Sequence, residues 1–105
     1  MQIQINTDRN ITGDARLSET IEAELRSTLA RFDEQITRVE LHLRDENSAT
    51  KSGTADKRCL LEVRLAGQNP VTTQDTAEHV MQAVTGAAEK MVRLLETQLG
   101  KLSRH

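Results

Sequence analysis

The stretch DTAEHVMQAVTGAAEKMVRLLETQLGKL, residues 75–102, sets the terms for the rest of the chain. It reads as one amphipathic helix of about seven to eight turns. Ala77, Val80, Met81, Val84, Ala88, Met91, Leu95, Gln98, Leu99 and Leu102 recur at helical spacing, and all but Gln98 are apolar. Asp75 or Thr76 is the expected N-cap. On the other side, His79, Lys90, Arg93, Lys101 and Arg104 fall in one narrow stripe, beside a row of Glu78, Glu89 and Glu96. The stripe has two readings. It is a solvated face, helped by the favourable placement of Lys and Arg near a helix C-terminus, or it is a rail for a polyanion. Gly86 inside the helix costs about 1 kcal/mol relative to alanine. A close approach is therefore expected there, either from a partner's backbone or from packing on a sheet.

The apolar side of such a helix needs a second layer, and the residues before it supply one. Val71–Gln74 reads as a short strand with Pro70 at its start, where a missing N–H is tolerated. Gly67-Gln68-Asn69-Pro70 is a tight turn. From Lys57 to Ala66, Cys59, Leu61, Val63 and Leu65 point one way and Arg58, Leu60, Glu62 and Arg64 the other. From Ile36 to Arg44, Val39, Leu41 and Leu43 alternate with Arg38, Glu40, His42 and Arg44. Residues 45–56 contain no apolar side chain larger than alanine and read as a mobile hairpin connection. At the N-terminus, Ile3 and Ile5 alternate with Gln2, Gln4 and Asn6 in a short strand, followed by a loop at Thr7–Gly13. Leu17, Ile21, Leu25, Thr28, Leu29 and Phe32 mark a first helix from Asp14 or Ser18 to Arg31, with Ser18 a plausible cap and Glu19 and Glu22 in its first turn.

The order is β-α-β-β-β-α. Each strand has one apolar face, so both helices are expected on the same side of one four-stranded sheet, in a two-layer α+β architecture. The first two strands are expected to be parallel and the rest antiparallel. With 105 residues and neither repeat nor linker, a single domain over 1–105 is expected.

Composition excludes several classes. No apolar run approaches a membrane span, and the N-terminus has neither the basic start nor the apolar stretch of a leader. Cys59 is the single cysteine, which rules out an internal disulfide and fits a reducing, cytoplasmic setting. The net charge of −2 is not that of a strongly basic nucleic-acid binder. It is unevenly spread, however: residues 1–50 carry −4 and residues 51–105 carry +2, so a polyanion would approach the later half.

Catalytic chemistry is not apparent. There is no phosphate loop, dinucleotide turn or Cys-x-x-Cys. His42, His79 and His105 lack metal-ligand spacing, so neither metal nor cofactor is expected. Glu40 and Glu62 could sit close across the open sheet face. Arg38, Arg44, Arg58 and Arg64 share that face, so cross-strand ion pairs are the expected outcome. Cys59, among apolar neighbours, is expected to be a core residue and not a reactive thiol.

Four segments carry a family resemblance: MQIQI at 1–5, RFDEQITRVELHL at 31–43, DKRCLLEVRLAG at 56–67, and AAEKMVRLLE at 87–96 with its basic tail. In this order and spacing they resemble the ribosome hibernation-promoting factors, also called ribosome-associated inhibitors or sigma-54 modulation proteins. The resemblance covers essentially the whole chain. It implies a β-α-β-β-β-α domain similar to double-stranded RNA-binding folds. It also implies binding to the small ribosomal subunit and its 16S rRNA, in the channel used by mRNA and tRNA. Translation would thereby be silenced in starved or stationary cells, with no catalytic turnover, no cofactor, no small-molecule substrate and no membrane partner. Lys90 and Arg93 match the family's basic positions on the second helix, with Lys101 in the basic tail. Lys57 and Arg58 match those at the start of the third strand, and Arg38 and Arg64 are weaker matches. The chain departs from the pattern in its slightly acidic balance and in HVMQAVT at 79–85, which lacks the family's tyrosine and two acids. Ending at His105, it resembles a short form. The competing expectation is a protein-interaction module of the same fold that has lost rRNA binding.

Overall fold

Two-residue alternation in the strands and helical spacing in the two helices all point apolar side chains at one shared layer. The computed structural model describes residues 1–8, 11, 15–46 and 56–103. Its strands are β1 (Gln2–Thr7), β2 (Ile36–Asp45), β3 (Lys57–Leu65) and β4 (Val71–Ala77), and its helices are α1 (Ala15–Thr28) and α2 (Val80–Ser103). The sheet order is β1-β2-β3-β4. β1 lies parallel to β2, and the other two pairings are antiparallel. A parallel neighbour needs a crossover connection, and α1 provides it between β1 and β2.

The covered face of the sheet is built from Val39, Leu41 and Leu43 of β2 and Cys59, Leu61, Val63 and Leu65 of β3, all buried. Ile21 and Leu25 of α1, with Ala83, Val84, Ala87, Ala88, Met91 and Leu95 of α2, close the same core from above. Each fully buried Val, Leu or Ile contributes about 1.5–3 kcal/mol. No charged or polar residue is buried among the described residues. The small side chains at Ala83, Ala87 and Ala88 line the contact side of α2, which packs on β3 and β4. None of the helices described is long and apolar enough to cross a membrane.

A bulge in β2 refines the alternation. Ile36 faces Leu65 and Arg38 faces Arg64, so Thr37 is the extra residue, and its hydroxyl donates to the Arg64 carbonyl at 3.1 Å. The bulge lets Ile36 and Val39 both point inward although three positions separate them. Between β3 and β4, Gly67 adopts φ 72°, a left-handed conformation that glycine takes without a Cβ penalty.

Several element ends differ from the sequence expectation. β3 stops at Leu65, not Ala66, whose N–H instead donates to the Gln35 carbonyl. β4 continues past Gln74 to Ala77 because Asp75, Thr76 and Ala77 pair with Cys59, Arg58 and Lys57. The ladder thus takes the residues expected to cap the helix, and Ala77 packs on the core from the strand. α2 starts at Val80. The His79 carbonyl accepts the first helical bond, from the Ala83 N–H, and the His79 N–H donates to Gln82 Oε1 at 3.3 Å. This is one half of a capping box. α1 starts at Ala15, which places Ser18 inside the helix and Glu19 and Glu22 beyond its first turn; the alternative start, Asp14, lies outside the described residues. α1 ends at Thr28, and a 3₁₀ turn over Ala30–Phe32 seats Phe32 in the core. The expected mobile connection falls mostly on 47–55, outside the described residues; at its base the Glu46 N–H donates to the Asp56 carbonyl at 2.8 Å.

Candidate nucleic-acid interface

The open face of the sheet carries the polar half of each alternation. The register between β2 and β3 places Arg38 opposite Arg64, Glu40 opposite Glu62, and Arg44 opposite Arg58. Like charges therefore face each other, an arrangement that costs free energy. The expected cross-strand ion pairs are not formed; charge is matched along β2 instead. Arg38 pairs with Glu40 at 2.8 Å, and His42 Nε2 lies 3.5 Å from the other Glu40 oxygen. The Arg38 hydrogen bond holds the Glu40 carboxyl below its ordinary pKa, against a desolvation effect and with further help from the charge of Arg38 and from His42. Arg38 also donates to Gln4 on β1. The Arg64 side chain is exposed and has no hydrogen bond or ion pair among the described residues. The register explains the pattern: core pairs Val39–Val63 and Leu41–Leu61 gain more from burial than a cross-strand charge pair, worth about 0.2–1 kcal/mol, could return.

Lys57 is held between two carboxylates, 3.1 Å from Asp56 and 3.4 Å from Asp45. The Asp56 hydrogen bond raises its pKa, with desolvation opposing and Asp45 adding to the rise. Its charge is already matched, and its side chain is only 23% exposed.

At the seam between β4 and α2 the arrangement is different. Lys90 Nζ donates to the Gln74 carbonyl at 2.9 Å and to Asp75 Oδ1 at 3.1 Å. An ammonium has three donors, so one N–H remains for a ligand, and the side chain is 47% exposed. Asp75 can sit beneath α2 only because residue 86 is glycine: a Cβ there would come within 1.7 Å of Asp75 Oδ2. Packing on the sheet thus accounts for Gly86. Thr73 adds a second tie, its hydroxyl donating to the Ala87 carbonyl at 2.8 Å.

Gln74 serves both faces. Its side-chain oxygen accepts from Arg58 Nη2 at 2.6 Å and Nε at 3.2 Å, while its backbone carbonyl holds Lys90. Arg58 and Lys90 consequently flank one concavity of about 360 Å³, with Glu46, Asp75 and Thr76. Arg93 follows Lys90 by three residues on α2; its side chain is exposed and has no hydrogen bond or ion pair among the described residues. Glu96, nearby on the helix, is engaged by Arg31.

Of the residues expected to meet a polyanion, the structure gathers Arg58 and Lys90 into one concavity and leaves Arg93 beyond them on α2. It places Arg38 and Arg64 together at the other end of the open face and ties Lys57 to acids. His79 leaves the stripe, because it caps the helix. Arg104 and the side chain of Lys101 lie outside the described residues. Gln74 carried no expectation and Asp75 only that of a helix cap, and their positions in β4 reveal their part in the seam.

Cys59 is buried, and burial, with the Asp75 charge adding, pushes its thiol up to about 12, so it is a core residue and not a nucleophile. Among the described residues no three His, Cys, Asp or Glu side chains converge to hold a metal.

The architecture is shared with solved structures. A ribosomal subunit interface protein from Coxiella burnetii matches with a TM-score of 0.66 at 20% identity, over 100% of both chains. The N-terminal domain of Protein Y from Thermus thermophilus matches with a TM-score of 0.68 at 20% identity, over 97% of this chain and 99% of that one. At this identity the likeness establishes the fold, a two-layer α+β domain of the kind found in ribosomal interface proteins. No curated protein sequence matches the chain. A sequence model of the sigma-54 modulation protein / S30EA ribosomal protein family, however, matches residues 3–103. The chain belongs to that family of ribosome-associated modulation and hibernation factors.

Proposed function

We propose that the protein is a cytoplasmic translation silencer. It binds 16S rRNA of the small ribosomal subunit in the mRNA and tRNA channel during starvation or stationary phase, and it acts by occupancy, without turnover. Family membership over residues 3–103 carries this reading. Arg58, Lys90 and Arg93 support it: two flank one concavity, the third lies exposed beyond it, and Lys90 keeps an N–H for a phosphate oxygen. Arg38 and Arg64 form a secondary contact zone, and Lys101 extends the α2 rail. Lys57 contributes least, because a phosphate would have to displace two carboxylates. With Phe32 the single aromatic residue, and buried, contacts read backbone and shape more than stacked bases.

Cosedimentation with small subunits and idle ribosomes over a salt series tests the proposal. Three phosphate contacts give a log–log salt slope of about −2 to −3. Absence from both particles at low salt would refute it. The second reading, a protein-interaction module, draws on the neutralised Lys57 and the net charge of −2. It predicts a partner captured independently of salt and of RNA.

A further inference from the structure

On the open face, His42, Arg44, Arg58 and Leu60 line a depression of about 290 Å³. His42 lies opposite Leu60 and Arg44 opposite Arg58 across the β2–β3 pair, so two adjacent rungs build it. Three observations distinguish it. First, Leu60, at 36% exposure, is the only exposed large hydrophobic side chain among the described residues, and it sits within this charged surround. Second, the Arg44 side chain has no hydrogen bond or ion pair among the described residues, whereas the Arg38–Arg64 rung is relieved by Glu40. Third, Arg58 is oriented by its two bonds to Gln74, and its nearest carboxylate, Glu46, is 4.0 Å from Nη1, beyond hydrogen-bond distance. The next rung of the open face carries two acids, Glu40, engaged by Arg38 and 3.5 Å from His42, and Glu62 opposite it, both on the side of the depression away from Arg44 and Arg58.

Two guanidinium groups on one rung, one held and one unpartnered, suit a phosphate, which accepts paired N–H donors from such forks. An apolar side chain and an imidazole on the next rung suit a planar, weakly polar body. We propose that this depression takes one nucleotide unit, with its phosphate between Arg44 and Arg58 and its base against Leu60 and His42. The size falls at the small end of ligand pockets, roughly 300 Å³. The unit is either a free mononucleotide or an unpaired nucleotide of a bound RNA. In the second case the inference rests on the rRNA-binding reading above and adds to it a place for one splayed base.

The test is amide chemical-shift mapping of the isotope-labelled chain with adenosine monophosphate, inorganic phosphate, adenosine and a short unstructured oligoadenylate. Shifts should centre on His42, Arg44, Arg58 and Leu60. Arg44→Ala, at an exposed side chain without partners, should weaken nucleotide binding about tenfold. Leu60→Ser should weaken adenosine monophosphate but not inorganic phosphate. Binding of the monophosphate supports a free ligand as the source, and binding of the oligonucleotide alone supports a nucleotide within a chain. No shift at these four residues with either probe overturns the proposal, as does equal binding of phosphate and monophosphate that is indifferent to Leu60→Ser. Ribosome cosedimentation of the Arg44→Ala chain, run in parallel, separates the two ideas: mapping can fail while cosedimentation persists, or the reverse.

Discussion

The base of the β2–β3 hairpin and the seam between β4 and α2 each hold a lysine beside acids, with opposite results. Lys57 uses two donors on two carboxylates, leaving its surroundings locally negative. Lys90 uses two donors on one carboxylate and one neutral carbonyl, beside the guanidinium of Arg58. Its side chain is also twice as exposed, 47% against 23%. A basic residue in a sequence is therefore not yet a basic site. Availability depends on how many acids the fold has already brought to it.

The strongest way to break this comparison is to reverse charge on α2. Lys90→Glu with Arg93→Glu should lower ribosome affinity about a hundredfold at low salt, while Lys57→Gln should change it less than about threefold. Cosedimentation with a circular-dichroism control for folding measures both. Equal losses for the two would mean that the acids around Lys57 give way to phosphate.

A second test sharpens the seam itself. Gly86→Ala should destabilise the domain by about 1–3 kcal/mol, because Asp75 must leave its seat. In an Asp75→Ala background the same substitution should stabilise by up to about 1 kcal/mol, since only the helix preference of alanine remains. Urea denaturation of the four chains gives the cycle. The same sign in both backgrounds would show that the Asp75–Gly86 contact does not govern the site.

The smallest effect concerns the open face. The folded pKa of Glu40 lies below its ordinary value. Its contribution is thus fully present above the ordinary carboxylate pKa and is lost as pH falls through the folded value. Arg38→Gln removes the main cause, so the drop in stability between pH of about 5 and about 3 should be shallower in that variant. Parallel urea curves at the two pH values check it; an unchanged drop would dissociate Glu40 from Arg38.

Much of the fold was legible because burial repeats. Leu61 and Val63 alternate, Val84, Ala88, Met91 and Leu95 follow a helical period, and all are buried as that pattern requires. The start of α2 was not legible, because Asp75 and Thr76 suit a helix cap as well as they suit a strand end. Only pairing with Cys59 and Arg58 decides between those roles. The β2–β3 register was hidden for a related reason. A two-residue slip would keep every side chain on its own face and set Arg against Glu, so alternation cannot exclude it; core packing does. On the candidate site, the outward placement of Lys90 and Arg93 followed from helical phase. The hold of Gln74 on Arg58 and Lys90, and of two acids on Lys57, depends on contacts between distant segments.

Cys59 gives the seam a built-in reporter. It lies in β3 opposite Asp75, fully covered, with its thiol pushed up to about 12. At neutral pH the folded chain then holds very little of the reactive thiolate. Alkylation must wait for β4 and α2 to part, so its rate counts local openings of the strand that carries Gln74 and Asp75. A ligand gripping Lys90 and Arg58 across that boundary would slow this clock, and native cysteine labelling would register occupancy without any added probe.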